Sequence, residues 1–321
     1  MELSTYQLPA QLSTYAAEVD WLYYVIFWIS VAFFVGIVGV MGYFVFRYRS
    51  RPGVRAKKTG HSNTLEVAWT ILPLILLIVL FHWGFQSYVR GSVAPSSSLD
   101  IRVRGAQWLW EFRHPNGMEE LNEVTLPVDT PIRFIMSSGD VLHSFFVPDF
   151  RVKQDVVPGR YSTLWFEATR TGKVQAYCTE YCGAPEGATG NVGHSAMLAT
   201  LNIVDEATYE KFLEKGPSAP DGLSEAEWGK QLVEKSGCRT CHSVDGETQM
   251  PAPNLKGLYM REEKMTSGKT IVADENYIRE SILQPQAKIV SGYENLLMPP
   301  YRFGEAQLDA IIAYIKELSQ E

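Results

Sequence analysis

From Trp21 to Phe46 the chain carries no charged side chain, and from Val67 to Val89 only His82 could carry one near neutral pH. Each run exceeds the about 20 residues that a helix needs to cross the hydrocarbon of a bilayer. Neither keeps the polar face that a helix of a soluble domain retains over this length. The two runs predict a transmembrane helical hairpin over 21–90, behind a polar lead-in over 1–20. Arg47, Arg49, Arg51, Arg55, Lys57 and Lys58 stand between the spans, against only Glu2, Glu18 and Asp20 ahead of the first. The bias of basic residues toward the cytoplasm places the 47–66 loop inside and both termini outside. A cleavable signal needs a basic start and a short apolar core, which the N-terminus lacks, so the first span reads as a retained anchor. Its Gly36, Gly39 and Gly42 suit helix packing.

The second span opens as His61-Ser-Asn-Thr-Leu-Glu66-Val-Ala-Trp69-Thr-Ile-Leu-Pro73. Glu66 borders the hydrocarbon, where an acid is either a solvated helix-start residue favoured by the dipole or a point where protons enter. Pro73 removes a helical hydrogen bond and predicts a kink that neighbouring helices tolerate.

Beyond Arg90 the segment Gly-Ser-Val-Ala-Pro-Ser-Ser-Ser is a linker, and from Leu99 the period changes. Ile101 and Val103 alternate with Arg102 and Arg104, and Trp108, Trp110 and Phe112 with Leu109 and Glu111. Further short runs at 123–127, 131–136, 144–147, 161–169, 173–177 and 197–204 are separated by Gly, Pro, Asn and Asp. Such strands predict an antiparallel sandwich or barrel over 98–205. A linker follows over 206–222, beginning as a helical piece and ending Lys-Gly-Pro-Ser-Ala-Pro-Asp-Gly. The remainder, 223–321, reads as all-α. Ser224-Glu-Ala-Glu227 is a capping box, and helices are expected toward Glu234, from Glu275 to Leu283, and from Glu305 to Leu318 with Leu308, Ile311, Ile312 and Ile315 on one face. The net charge of −7 disfavours nucleic acid and suits a docking surface for basic proteins.

The four cysteines fall as two close pairs. In Cys238-Arg-Thr-Cys241-His242 each cysteine can add to one vinyl group of a haem, and the adjacent histidine is placed as an axial ligand. No histidine follows His242, so the sixth iron ligand is expected among Met250, Met260, Met265 and Met298. Met298 is favoured because Pro299-Pro300 behind it forbids helix and holds an extended loop. In the β region, Cys178-Thr-Glu180-Tyr-Cys182, His194-Ser-Ala-Met197 and the upstream His143 gather two thiolates, two imidazoles and a thioether. A disulfide, a Cys2His2 zinc site and copper all compete for this set. A mononuclear blue-copper site uses a single cysteine, whereas two bridging thiolates on two coppers would use both.

Taken together, these residues resemble subunit II of haem-copper cytochrome c oxidase, in the form with a cytochrome c domain fused at the C-terminus. The resemblance covers nearly the whole chain and rests on the helical hairpin, on Gln107-Trp108-Leu109-Trp110, on the segment from Asp140 to Asp155 containing His143, and on Cys178-Thr-Glu180-Tyr-Cys182. It implies a membrane-anchored multidomain protein whose β domain is a cupredoxin barrel with the binuclear copper centre called CuA. By position, His143, Cys178, Cys182, His194 and Met197 match its copper ligands, with Glu180 ligating through its carbonyl and its side chain resembling a magnesium ligand at the boundary with subunit I. Trp108 matches the aromatic where electrons enter from the cytochrome, and Glu66 the acid at the mouth of a proton channel of subunit I.

The implied function is electron input to a proton-pumping terminal oxidase, with subunits I and III, a cytochrome donor and the lipid bilayer as partners. The implied location is a bacterial plasma membrane, with the metal domains on the periplasmic side. Two features depart from the family. His194 lies well beyond Cys182, across the Gly-rich stretch 183–193, where the family's second histidine follows closely, and Leu109 stands where an aromatic is common. The alternatives are the electron-input subunit of a copper-using nitric oxide reductase and a membrane-tethered copper carrier.

Overall fold

The computed structural model describes residues 7–55, 60–184, 193–215, 219, 222–246, 250–296, 298, 301 and 303–320. Two long helices open it, α1 (Ala16–Arg47) and α2 (Asn63–Ser92). Ser62 caps α2 by accepting the Leu65 amide hydrogen, and the helix continues through Pro73. Phe34, Ile37, Leu72 and Leu77 are among many large apolar side chains left open on these helices. That surface suits lipid or a partner helix and not water. A side chain at Gly36, Gly39 or Gly42 would meet nothing within 4 Å, so these glycines do not pack against α2. Lys57 and Lys58 of the basic loop, and the first six residues of the lead-in, lie outside the described residues.

The β domain contains β1 (Leu99–Ala106), β2 (Leu109–Arg113), β3 (Glu119–Leu121), β4 (Glu123–Pro127), β5 (Pro131–Ser138), β6 (His143–Val147), β7 (Val152–Val156), β8 (Ser162–Glu167), β9 (Gly172–Cys178) and β10 (Leu198–Val204). They form two five-stranded sheets, ordered β3-β2-β1-β5-β8 and β4-β10-β9-β6-β7. Most pairs are antiparallel as expected, but β1 runs parallel to β5 and β4 parallel to β10. Alternation along a strand sets which side chains are buried and says nothing about which neighbour the strand finds. Trp110, Phe112, Phe134, Phe145, Phe150 and Phe166 fill the space between the sheets without solvent contact. The charge-rich β3 and β7 were not expected as strands; both lie at sheet edges, where charge blunts further pairing.

The β domain is bolted to the helical hairpin. The Leu12 amide donates to the Asp149 carbonyl, and Ser13 bridges Ala168. Arg151 donates to both Asp20 carboxylate oxygens, at 2.8 and 3.0 Å, and to the carbonyls of Ala10 and Pro148. Asp20 is 2% exposed, so this ion pair is shielded from water where α1 leaves the membrane. The Trp165 indole donates to the Arg90 carbonyl at the end of α2.

The C-terminal region contains α3 (Glu206–Lys215), α4 (Glu225–Lys235), α5 (Glu275–Leu283) and α6 (Glu305–Glu317). The Ser224 capping box is formed, and Leu308, Ile311, Ile312 and Ile315 of α6 are buried. Helices α4 and α6 cross at Gly229, where a Cβ would fall 1.9 Å from the Ala310 carbonyl oxygen, so only glycine permits the approach. The small hairpin β11 (Glu262–Lys264) and β12 (Thr270–Val272) was not anticipated. The core of this domain extends across the boundary to take in Ala106, Leu109 and Leu121 of the β domain.

Candidate metal centre and haem pocket

One end of the second sheet gathers the soft donors. His143 begins β6, Cys178 ends the adjoining β9, and Met197 immediately precedes β10. Cys178 sits opposite Phe145 in the β6–β9 ladder, and its amide donates to the Met197 carbonyl, which draws the three strand ends together. The chain then loops through Glu180 to Cys182. His194 returns to the site because its amide donates to the Gly183 carbonyl at 2.9 Å, closing the base of the long excursion. Residues 185–192 of that excursion lie outside the described residues.

The Sγ atoms of Cys178 and Cys182 are 3.9 Å apart. The Nδ1 of His143 lies 3.9 Å from the first, and the Nδ1 of His194 lies 3.5 Å from the second. Met197 Sδ is 3.7 Å from Cys182 Sγ, and the Glu180 carbonyl oxygen is 3.3 Å from Cys178 Sγ. Both thiols are free and buried, and their separation far exceeds the about 2.05 Å of a disulfide bond. Two thiols, each faced by one imidazole, with a thioether and a carbonyl at the margins, make six donors. That exceeds the four of a structural zinc site and fits copper.

The protonation of the pair follows from its geometry. The Cys178 thiol is held low, first by its hydrogen bond with Cys182, against the cost of burial, with help from His143 and the backbone of Ser144. The same hydrogen bond, with burial, pushes Cys182 up; a bound metal would displace thiol protons from the pair.

Asp140 was not singled out from the sequence. Its Oδ1 stands 2.9 Å from His143 Nε2, and it also accepts the backbone N–H of Gln107 and Val141. Burial would depress the His143 imidazole, but the bonds to Asp140 and Cys178 outweigh it and leave it raised. For Asp140, burial is likewise outweighed, by the same histidine bond and the two amides, and the carboxyl is lowered. Such a carboxylate fixes the ring so that the other nitrogen faces the metal. Its spacing three residues before His143 was the available signal.

Trp108 is half-buried, and its indole N–H donates to the Cys182 carbonyl at 3.3 Å beside a 2.6 Å bond from the Gln107 side chain. The Glu180 side chain is half-buried at the rim. Glu66 is remote from all of this, paired with His61 at 2.9 Å on the far end of α2.

A second cleft lies in the helical domain. Cys238, Cys241, His242 and Met298 line it together, within an apolar wall that includes Leu255, Ile282 and Ile311. The His242 Nδ1 lies 2.6 Å from the Pro253 carbonyl, an acceptor, which places the proton on Nδ1 and leaves Nε2 with a free lone pair. Burial lowers the imidazole, opposed in part by that bond, so it is neutral and fit to ligate. Burial pushes the Cys238 thiol up to about 12 and also raises Cys241. An apolar slot with two thiols, one neutral imidazole and one thioether fits a covalently held haem. Met265 is buried outside the cleft lining and Met260 is exposed. Pro299 and Pro300 lie outside the described residues.

Three stretches of the chain match known families. Residues 3–86 match the family described as cytochrome c oxidase subunit II, transmembrane domain; residues 116–196 match its periplasmic domain; residues 226–319 match cytochrome c. The two subunit II matches together span about half of the chain. Cytochrome c oxidase subunit 2 of Alkalihalophilus pseudofirmus is 29% identical over 318 residues, covering 94% of this chain and 88% of that protein. The subunit of the same name from Cereibacter sphaeroides is 25% identical over 264 residues, covering 66% and 84%. Among solved structures, the periplasmic domain of subunit II of cytochrome oxidase of Bradyrhizobium japonicum is 28% identical, with a TM-score of 0.35, covering 39% of this chain and 96% of that one.

Proposed function

Because the chain belongs to the cytochrome c oxidase subunit II family and carries a cytochrome c domain behind it, we propose that it is the electron-input subunit of a proton-pumping terminal oxidase. Electrons from a cytochrome donor pass by way of a haem c and a binuclear copper centre to the haem-copper catalytic subunit, which reduces oxygen to water. When bound, the copper ions and the haem iron supply one-electron redox chemistry at two places on one chain.

The chain's own residues hold and shield these groups. Cys178, Cys182, His143, His194, Met197 and the Glu180 carbonyl would hold the copper, with the two buried thiols as its central donors. The six donors come from three strand ends and one pinned loop, so they are set before any metal arrives. A site that moves little on changing charge lowers the reorganisation each transfer requires. Cys238 and Cys241 would anchor the haem, and His242 and Met298, which line the same cleft, would supply its protein ligands. The Glu180 side chain holds a magnesium ion at the boundary with subunit I.

Trp108, hydrogen-bonded to a ligand's carbonyl, is the electron entrance to the copper site. Glu66 stands at the entrance of a proton channel. The exposed apolar helices α1 and α2 are long enough to anchor the chain in the membrane, where they would meet subunit I, with subunit III beyond. The metal domains face the periplasm of a bacterial plasma membrane.

The observation that carries this reading is the buried pair of free thiols, each faced by one imidazole Nδ1. The test is purification of the intact membrane complex with copper, iron and magnesium analysis and redox difference spectra. Two copper ions and one covalent haem for each copy of this chain are expected; absence of the copper pair overturns the assignment. The isolated chain is expected to show haem and copper absorption without oxygen uptake.

A further inference from the structure

The haem domain and the copper domain share one buried core. Ala106, Leu109 and Leu121, at 7%, 3% and 8% exposure, leave the surface of the copper domain and join Leu232, Val233, Tyr301 and Phe303 of the haem domain. Leu109 is covered by the chain's own haem domain. An aliphatic side chain there meets an apolar partner surface rather than solvent.

The polar contacts around this core are specific. Asn122 has φ of +54°, a conformation that asparagine adopts more readily than most residues. Its Nδ2 donates to the Lys235 carbonyl at 2.6 Å, three residues before Cys238 of the haem motif. Its Oδ1 accepts the Trp110 amide at 2.8 Å, and its own amide donates to the Trp110 carbonyl. The Trp110 ring packs edge-on to His143 with centroids 5.9 Å apart. One side chain therefore joins the segment leading into the haem motif to the strand that supports a copper ligand. Beside it, Lys235 Nζ pairs with Glu123 at 2.6 Å, and the Gln307 side chain donates to the Glu119 carbonyl.

The connecting segment is tied down as well. On α3, the Tyr209 hydroxyl is 3.1 Å from His114 Nδ1, and the Leu213 carbonyl accepts from Asn116. His114 is 2% exposed and holds Glu120 with its other nitrogen at 2.8 Å. Only residues 216–224 separate this clamped helix from α4, whose last residue is Lys235. A tether that short keeps the effective concentration of the haem domain at its seat high.

We propose that the haem domain is a permanently docked donor rather than a swinging carrier, seated on the copper domain through Leu109 and Leu121, with Asn122 as the positioning residue that sets haem motif against copper ligand. The proposal rests on the copper and haem reading above, and its tests separate the two.

The first test needs no variant. Treatment of the purified, metal-containing complex with a water-soluble carbodiimide is expected to form an amide between Lys235 and Glu123, recovered as one cross-linked peptide in a yield independent of protein concentration. A complex that contains copper and haem but gives no such peptide overturns the docked arrangement while leaving the metal reading intact. A chain that gives the peptide but holds no copper or haem overturns the metal reading and leaves the docking.

The second test divides the two bonds of Asn122. Asn122→Asp still accepts from the Trp110 amide but cannot donate to the Lys235 carbonyl, and Asn122→Gly keeps the positive φ without either bond. Both are expected to keep the copper and haem absorption spectra while slowing haem-to-copper transfer after flash photoreduction by about tenfold, because an oriented encounter becomes one that must be found. The wild-type rate is expected to be unchanged between low and high ionic strength, since the pair is already assembled. Transfer at the wild-type rate in Asn122→Asp and Asn122→Gly, or a wild-type rate that falls steeply with salt, overturns the proposal.

Discussion

The carboxylate of Asp140 stands 2.9 Å from His143 Nε2 and turns the opposite ring nitrogen toward the Cys178 sulfur. The ring cannot rotate without losing that bond, so the imidazole is aimed before metal binds. Asp140→Ala is expected to weaken copper retention by about 10–100-fold, the usual cost of removing a residue that orients a ligand. Asp140→Asn, which can still accept from the ring, is expected to lose less. Competition with a chelator of known affinity, followed by the copper absorption, reads both.

Met298 shares its cleft with both cysteines and the histidine of the haem motif. Met298→Ala is expected to leave the haem attached, because the proposed links to Cys238 and Cys241 are untouched, while opening the iron to added imidazole or carbon monoxide. Met265→Ala is expected to leave the iron closed to them, at the cost of some stability from a buried cavity. Ligand-binding difference spectra distinguish the two variants, and an iron in Met298→Ala that binds neither ligand contradicts the axial role.

Arg151 and Asp20 form a shielded pair at the junction between α1 and the β domain. Arg151→Met strands a buried carboxylate and is expected to destabilise the junction by about 3–5 kcal/mol. The double variant Asp20→Leu with Arg151→Met removes both charges and is expected to recover much of that loss, since paired burial of charge gains little over apolar packing. Thermal unfolding of the detergent-solubilised complex, with protease sensitivity at the junction, provides the measurement.

Tyr209 fastens α3 to the copper domain, and burial, with the nearby Glu120 and Glu206 carboxylates, pushes its phenol up from 10.0 to about 12. The folded state therefore prefers the neutral phenol. Its contribution is complete below pH 10 and is lost as pH climbs from 10 through about 12. The protection of α3 against hydrogen exchange, taken relative to the intrinsic base-catalysed rate, is expected to fall over that window in the wild type and to stay level with pH in Tyr209→Phe.

Much of this protein was legible before folding was considered. The donors Cys178, Cys182, Cys238, Cys241 and His242 stand out because their spacing is short and their chemistry narrow. The membrane spans stand out because backbone in hydrocarbon must satisfy its own hydrogen bonds, which demands long uncharged helices. Strand positions followed from alternation, but the parallel pairing of β1 with β5 and of β4 with β10 did not. The edge strands β3 and β7 escaped notice because charged residues masked their period. The sequence placed Leu109 on a strand, and only the tertiary structure shows it buried with side chains of the C-terminal domain.

By itself, then, the sequence determined that the chain has two membrane spans, a β domain with soft donors, and a helical domain with a haem-binding motif. These are properties of local periodicity and short spacing, which survive in an unfolded chain. Tertiary structure decided what joins distant segments: His194 returning to Cys182 through the Gly183 carbonyl, Arg151 locking onto Asp20, and Asn122 bridging Lys235 to Trp110. Each rests on one or two hydrogen bonds, some of them to backbone groups of residues with no polar side chain to announce them. Nothing in a residue's identity names its partner until packing has brought the two within about 3 Å and excluded the water that would otherwise serve as well.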